Sequence, residues 1–130
     1  MQTDTDEKYL HEELTYKIIG ILIKVHNTLG CGFPERIYQR AVTEDLKREG
    51  LKVETEKEIE IIYHAKVIGK YKLDLVVEDK IILELKAAIT TARIFKDQLI
   101  SYLKGTPYQV GILANFGTSK LEYYRLFRAK

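Results

Sequence analysis

The sequence predicts a mixed α/β or α+β domain, and three observations carry that prediction. Two amphipathic helical stripes open the chain, residues 51–87 switch to β-branched and alternating segments, and a third helical stripe separates that region from two further strand-like runs. No repeat, low-complexity tract or linker interrupts the order, so residues 1–130 are expected to form one domain, with the polar opening residues 1–7 frayed.

The first stripe is Leu10, Leu14, Ile18, Leu22, Val25 and Leu29, recurring at steps of three and four, and Gly30 and Gly32 end it. Pro34 suits the first turn of a second helix whose apolar side is Ile37, Tyr38, Ala41, Val42 and Leu46, with Gly50 placed to close it. Strand character begins near Val53 and runs through Ile59, Ile61, Ile62 and Tyr63 to a turn at His64-Ala65-Lys66. Val67 leads into the next strands, and a three-stranded meander ending at Ala87 is the simplest reading. Thr90 or Thr91 is expected to cap a third helix carrying Ile94, Phe95, Leu99, Tyr102 and Leu103, which stops near Gly105 and Pro107. Tyr108–Phe116 and Leu121–Phe127 then read as strands, the first reached by a crossover that would cover one sheet face. Tyr123, Tyr124 and Phe127 can close the core or build a homodimer contact.

Composition bounds the function weakly. Lysine and arginine number 21 against 19 aspartates and glutamates, so no global field marks a nucleic-acid partner, although a local basic groove is compatible with that balance. Cys31 is the single cysteine, which rules out an intramolecular disulfide, and no apolar run is long enough for a signal peptide or a membrane helix. A cytoplasmic setting without a membrane partner is the expectation. His11, His26 and His64 lack metal-ligand spacing, which argues against zinc.

The informative charges are Asp74, Glu84 and Lys86 in YKLDLVVEDKIILELKA, because they interrupt two otherwise apolar strands. A two-residue turn, Asp79-Lys80, would set Leu75 against Glu84 and Leu73 against Lys86. A three-residue loop, Glu78-Asp79-Lys80, instead matches Val77 with Ile81, Leu75 with Leu83 and Leu73 with Leu85, and leaves Asp74 opposite Glu84 and Lys72 opposite Lys86. The apolar pattern selects that second register. Opposed residues have Cβ atoms about 4.5–5.5 Å apart, close enough for both carboxylates to reach one cation with oxygen ligands at about 2.0–2.1 Å. A solvated face neutralised by Lys72 is the competing reading.

Two further pairs lie on helices. Glu35 and Tyr38 share a face in GFPERIY, and Gln98 and Tyr102 share one in DQLISY. Each pair alone is consistent with a favourable charge at a helix start or with amphipathic packing. In order, however, Gly32-x-x-Glu35-x-x-Tyr38, Asp74, Glu84-x-Lys86 and Gln98-x-x-x-Tyr102 resemble the small GxxExxY proteins of the PD-(D/E)XK nuclease superfamily, over about Leu29 to Phe116.

That resemblance implies a restriction-endonuclease-like core, a central mixed sheet flanked by helices. It implies that Asp74 and Glu84 are metal ligands for Mg²⁺ or Mn²⁺, and that Lys86 positions water and stabilises phosphate charge. Glu35 would be an outer carboxylate of the same catalytic site, Tyr38 a support for it, and Gln98 and Tyr102 a supporting and substrate-approaching element. One departure stands out: where relatives often carry a histidine and a glutamate before that glutamine, this chain has Phe95, Lys96 and Asp97. The expected activity is metal-dependent hydrolysis of phosphodiester bonds in nucleic acid, DNA before RNA. The alternative is a non-catalytic nucleic-acid-binding or protein-interaction module that keeps the fold.

Overall fold

The computed structural model describes residues 10–128, and the expected fraying of residues 1–7 lies outside them. Helix α1 (Glu12–Leu29) buries Ile18, Leu22 and Val25 of its expected stripe and adds Ile21 to it. It ends at Gly30, whose φ of 75° suits glycine and whose N–H bonds the His26 carbonyl. Helix α2 (Glu35–Arg48) buries Tyr38, Val42 and Leu46, and Gly50, at φ 77°, closes it through a hydrogen bond to the Lys47 carbonyl.

Strands β1 (Val53–Tyr63), β2 (Lys66–Val77) and β3 (Ile81–Lys86) form the meander, followed by helix α3 (Arg93–Lys104) and strands β4 (Val110–Asn115) and β5 (Glu122–Phe127). The sheet order is β1-β2-β3-β4-β5. Consecutive strands pair antiparallel except β3 and β4, which run parallel because α3 carries the chain back between them. The mixed sheet flanked by helices is therefore the observed fold. One core joins α1 and α2 to one face through Leu75, Val77, Ile81, Leu83 and Leu85, and a second joins α3 to the other face through Val76, Ile82, Leu99 and Leu113. No helix among the described residues is long and apolar enough to cross a membrane.

The β2–β3 register is the one the apolar pattern selects, with Val77 opposite Ile81 and Leu75 opposite Leu83. Glu78 and Asp79 both take φ 54° in the turn, as type I′ geometry requires. Beyond Leu75 the expectation fails in detail. The β1–β2 ladder passes from Thr55 opposite Leu75 to Lys57 opposite Leu73, omitting Asp74, while Glu56 adopts φ 50°. This local break reverses the alternation. Leu73 packs on the α3 side, whereas Leu75, Leu83 and Leu85 pack on the α1–α2 side, so the four do not share a face. The pairing of Lys72 with Lys86 does not form either, since the ladder ends at Leu75 and Leu83.

Two expectations for α3 are also corrected. Ala92 precedes the helix with no side-chain cap, because the Thr91 hydroxyl is engaged by Asn115 and Glu122 instead. Ile94, placed on the apolar stripe by its spacing, is 56% exposed. Tyr123 is exposed, while Tyr124 and Phe127 pack against the two cores.

Candidate metal centre and active site

The site forms where β2 and β3 stop pairing. Beyond Leu75 and Leu83, side chains replace the backbone carbonyls as acceptors: Glu84 Oε2 accepts the Asp74 N–H at 3.0 Å, and Asp74 Oδ2 accepts the Leu85 N–H at 2.9 Å. These reciprocal bonds hold both carboxylates across the gap, whereas the ladder pairs expected from the sequence, Asp74 with Glu84 and Leu73 with Leu85, do not form because pairing stops at Leu75 and Leu83.

Glu84 is 3% exposed, and its second oxygen, Oε1, is buried without a hydrogen-bond partner among the described residues. An ionised carboxylate in that position lacks compensation, so burial first and the charge of Asp74 second push the Glu84 pKa up to about 8, with Lys86 opposing. A shared cation would answer both problems at once, by satisfying Oε1 and by offsetting the repulsion. Two carboxylates are hard oxygen donors of the kind that suit a divalent ion. Among the described residues no three His, Cys, Asp or Glu side chains gather as a ligand cluster, so further ligands would have to be water, backbone or substrate oxygens.

Lys86 follows on the same strand, half-buried, with Nζ 4.9 Å from the Phe95 ring centroid. The residue standing in the departed segment of α3 therefore supports the lysine by a cation–π contact. Glu35, at the start of α2, remains exposed yet lies within electrostatic reach. Loss of hydration raises its pKa first, Asp74 adds to the rise, and Lys86 opposes it.

Tyr38 acts on the loop that leads to Glu35 and makes no direct bond to that carboxylate. It is fully buried, donates to the Gly30 carbonyl, accepts the Phe33 N–H at 3.1 Å and stacks on Phe116 at 4.5 Å. Gly32, the glycine of the motif, has open space where a Cβ would stand and no positive φ; Gly30 is the one the backbone requires. Tyr102 on α3 stacks on Tyr71 of β2 at 4.1 Å, and its pKa is raised by burial first, against a lowering hydrogen bond with Tyr71, with Glu84 and Asp74 adding smaller upward contributions. Gln98 lies half-buried one turn earlier and hydrogen-bonds none of the other site residues.

Three neighbours escaped sequence reasoning. Gln39 reaches the Asp74 carbonyl from α2 at 3.5 Å, Tyr71 backs Tyr102, and Asn115 fastens the loop after Lys86. Neither Gln39 nor Tyr71 carries a motif signal. Phe95 was visible as an apolar position of the third helix and as a departure, not as the contact of Lys86. Open grooves of about 780 Å³ between α1 and β5, and about 790 Å³ between β1 and the end of α3, contain none of Glu35, Asp74, Glu84 or Lys86. Charge and burial, more than concavity, mark the site.

No curated protein matches the chain. The crystal structure of SSO0001 is similar to it, with 26% identity and a TM-score of 0.58 over 74% of this chain and 51% of that one, so the match spans about half of that protein's chain. The sequence profile of the PD-(D/E)XK nuclease superfamily matches residues 12–126, from the first residue of α1 into β5, and takes in the splayed hairpin with its two carboxylates and lysine. On a match that long, the chain belongs to the PD-(D/E)XK nuclease superfamily.

Proposed function

We propose that this chain, as one domain of the GxxExxY type, is a divalent-metal-dependent nuclease that hydrolyses phosphodiester bonds, with DNA as the first substrate and RNA as the second to test. The observation that carries this reading is the buried Glu84 carboxylate, which is tied to Asp74 through one oxygen and keeps the other without a partner among the described residues, with Lys86 two residues on. A cytoplasmic setting belongs to the same reading, supported by the exposed, unpaired thiol of Cys31.

Asp74 and Glu84 would hold Mg²⁺ or Mn²⁺. When bound, such an ion lowers the pKa of a coordinated water and polarises a phosphoryl oxygen. Lys86 supplies fixed positive charge where negative charge develops on the phosphate, and Phe95 limits the directions its ammonium can take. Glu35 orients water at the outer edge of the acidic pair, its position set by the Tyr38 clamp on the preceding loop. The Tyr102 hydroxyl, backed by Tyr71, is available to a phosphate oxygen next to the scissile one, and Gln98 supports that face of α3.

Calorimetric titration with Mg²⁺ and Mn²⁺, followed by incubation with single- and double-stranded DNA and RNA, tests the proposal. Ion binding together with ion-dependent cleavage supports it. Nucleic-acid binding without any metal response favours the non-catalytic module.

A further inference from the structure

Exposed large apolar side chains among the described residues fall in three places: the outer end of the β1–β2 hairpin, the groove between α1 and β5, and the rim of the acidic site. The third group, termed the rim for its place in the chain next to site elements, is Phe33, Ile89 and Ile94, which are 45%, 91% and 56% exposed. Each is close in sequence to a site element. Phe33 precedes Glu35 by two residues, Ile89 follows Lys86 by three, and Ile94 adjoins Phe95, on which Lys86 rests.

Exposure of this kind on a slack loop would mean little, but both rim loops are fastened from below. Tyr38 ties Gly30 to Phe33, and its ring sits against Phe33 at 6.2 Å in edge contact. Asn115, fully buried, uses all its hydrogen-bonding capacity on the other loop: Oδ1 accepts from Ala88 and Gly117 N–H, and Nδ2 donates to the Ala88 carbonyl and to Thr91. A side chain at Gly117 would put a Cβ 2.3 Å from the Ala88 carbonyl oxygen, so the loop fits only against glycine. Phe116 joins the two halves, stacking on Tyr38 and donating its N–H to the Lys86 carbonyl at 2.7 Å. The fold thus holds apolar groups in water on ordered supports, which is the preorganisation a binding surface needs.

We propose, resting on the nuclease reading above, that this rim takes unpaired nucleotides on either side of the scissile phosphate, with Phe33 as a stacking platform for one base and Ile89 as an apolar stop for the other. In a continuous duplex the base faces are already stacked, so the rim would gain little by contact; unpaired bases expose those faces and stack on aromatic or apolar groups regardless of sequence. Charge agrees with that occupant. Arg36 beside Glu35 and Arg93 at the start of α3 are exposed and take part in no ion pair among the described residues, leaving both guanidinium groups for the flanking phosphates.

The test uses the full chain and its Phe33→Ala and Ile89→Ser variants, with a fluorescently labelled single strand and the duplex of the same sequence. Cleavage is followed with Mg²⁺ or Mn²⁺, and binding by anisotropy with chelator present. Wild type is expected to favour the single strand, and each variant to lose about tenfold in single-strand affinity and kcat/KM while duplex values and thermal midpoint stay nearly unchanged. A wild-type preference for continuous duplex, or variants with unaltered single-strand affinity, would overturn the inference. If no ion supports cleavage, the nuclease reading fails by itself, and the anisotropy comparison still decides the rim: lost affinity in the variants upholds it, and unchanged affinity refutes it.

Discussion

Strand β2 runs through two hairpins in which the same residue types meet opposite conditions. In the outer β1–β2 hairpin, Lys70 and Glu58 pair at 3.7 Å with side chains 56% and 50% exposed. In the β2–β3 hairpin, Glu84 is 3% exposed and keeps an oxygen without a partner among the described residues. Water screens the first pair, so its geometry contributes about 0–1 kcal/mol and constrains no chemistry. Burial leaves the second group dependent on whatever the fold or a ligand provides. The comparison teaches that a carboxylate in a strand becomes a functional candidate through desolvation and a facing like charge, conditions that residue identity alone does not disclose.

The sharpest way to break that comparison is Lys86→Ala. If Lys86 stabilises transition-state charge without ligating the ion, hydrolysis should fall by on the order of 10²–10³-fold while calorimetric metal affinity stays close to wild type. Equal activity in the variant would remove Lys86 from the mechanism.

The next largest effect concerns protons. Folded Glu84 keeps its proton up to about pH 8, whereas the unfolded side chain loses it near about 4.3. Between those values the folded state binds more protons, so metal-free stability should decline as pH rises through that window and level off above it, by on the order of a few kcal/mol in total. Glu84→Gln should flatten most of this slope in denaturant titrations with chelator. A wild-type protein with no slope would mean that water reaches Glu84 after all.

Asp74→Asn probes the facing charge directly. The amide oxygen can still accept the Leu85 N–H, while above about pH 8, where Glu84 is ionised, the repulsion between the two carboxylates disappears. At that pH the metal-free fold should be equally stable or gain about 0.5 kcal/mol, and the stabilisation on adding Mg²⁺ or Mn²⁺ should shrink sharply. Thermal unfolding with chelator and with excess ion separates the two effects; a clear metal-free loss would favour the solvated-face reading. The smallest change is expected in the outer hairpin, where Lys70→Ala should alter stability by less than about 0.5 kcal/mol. A larger loss in urea unfolding would show that exposed pairs of this sheet also carry structural weight.

Much of the site was readable because its constraints are local. Leu75, Val77, Ile81 and Leu83 fixed the β2–β3 register, which points Asp74 toward Glu84, and reciprocal side-chain bonds then join them where the ladder has ended. Glu35 and Lys86 were legible through the order of motifs. Tyr38 was legible as a residue but not in its role, since its bonds to Gly30 and Phe33 depend on a loop whose path no periodicity records. The misplacement of Leu73 has a different origin: simple alternation assumes an unbroken ladder, and the φ 50° of Glu56 with the omitted Asp74 pair breaks it.

The sequence by itself determined the element order, the helical stripes and the hairpin pairing, because each follows from apolar periodicity and turn chemistry within a few residues of chain. Only the tertiary structure decided that β2 and β3 separate at the carboxylates, that Glu84 is buried with an oxygen unpaired, that Phe95 lies against Lys86, and that Asn115 and Tyr38 fasten the two rim loops. Those features depend on which distant segments exclude water from a given atom. Hydration is a property of the assembled surface, not of neighbouring residues in the chain.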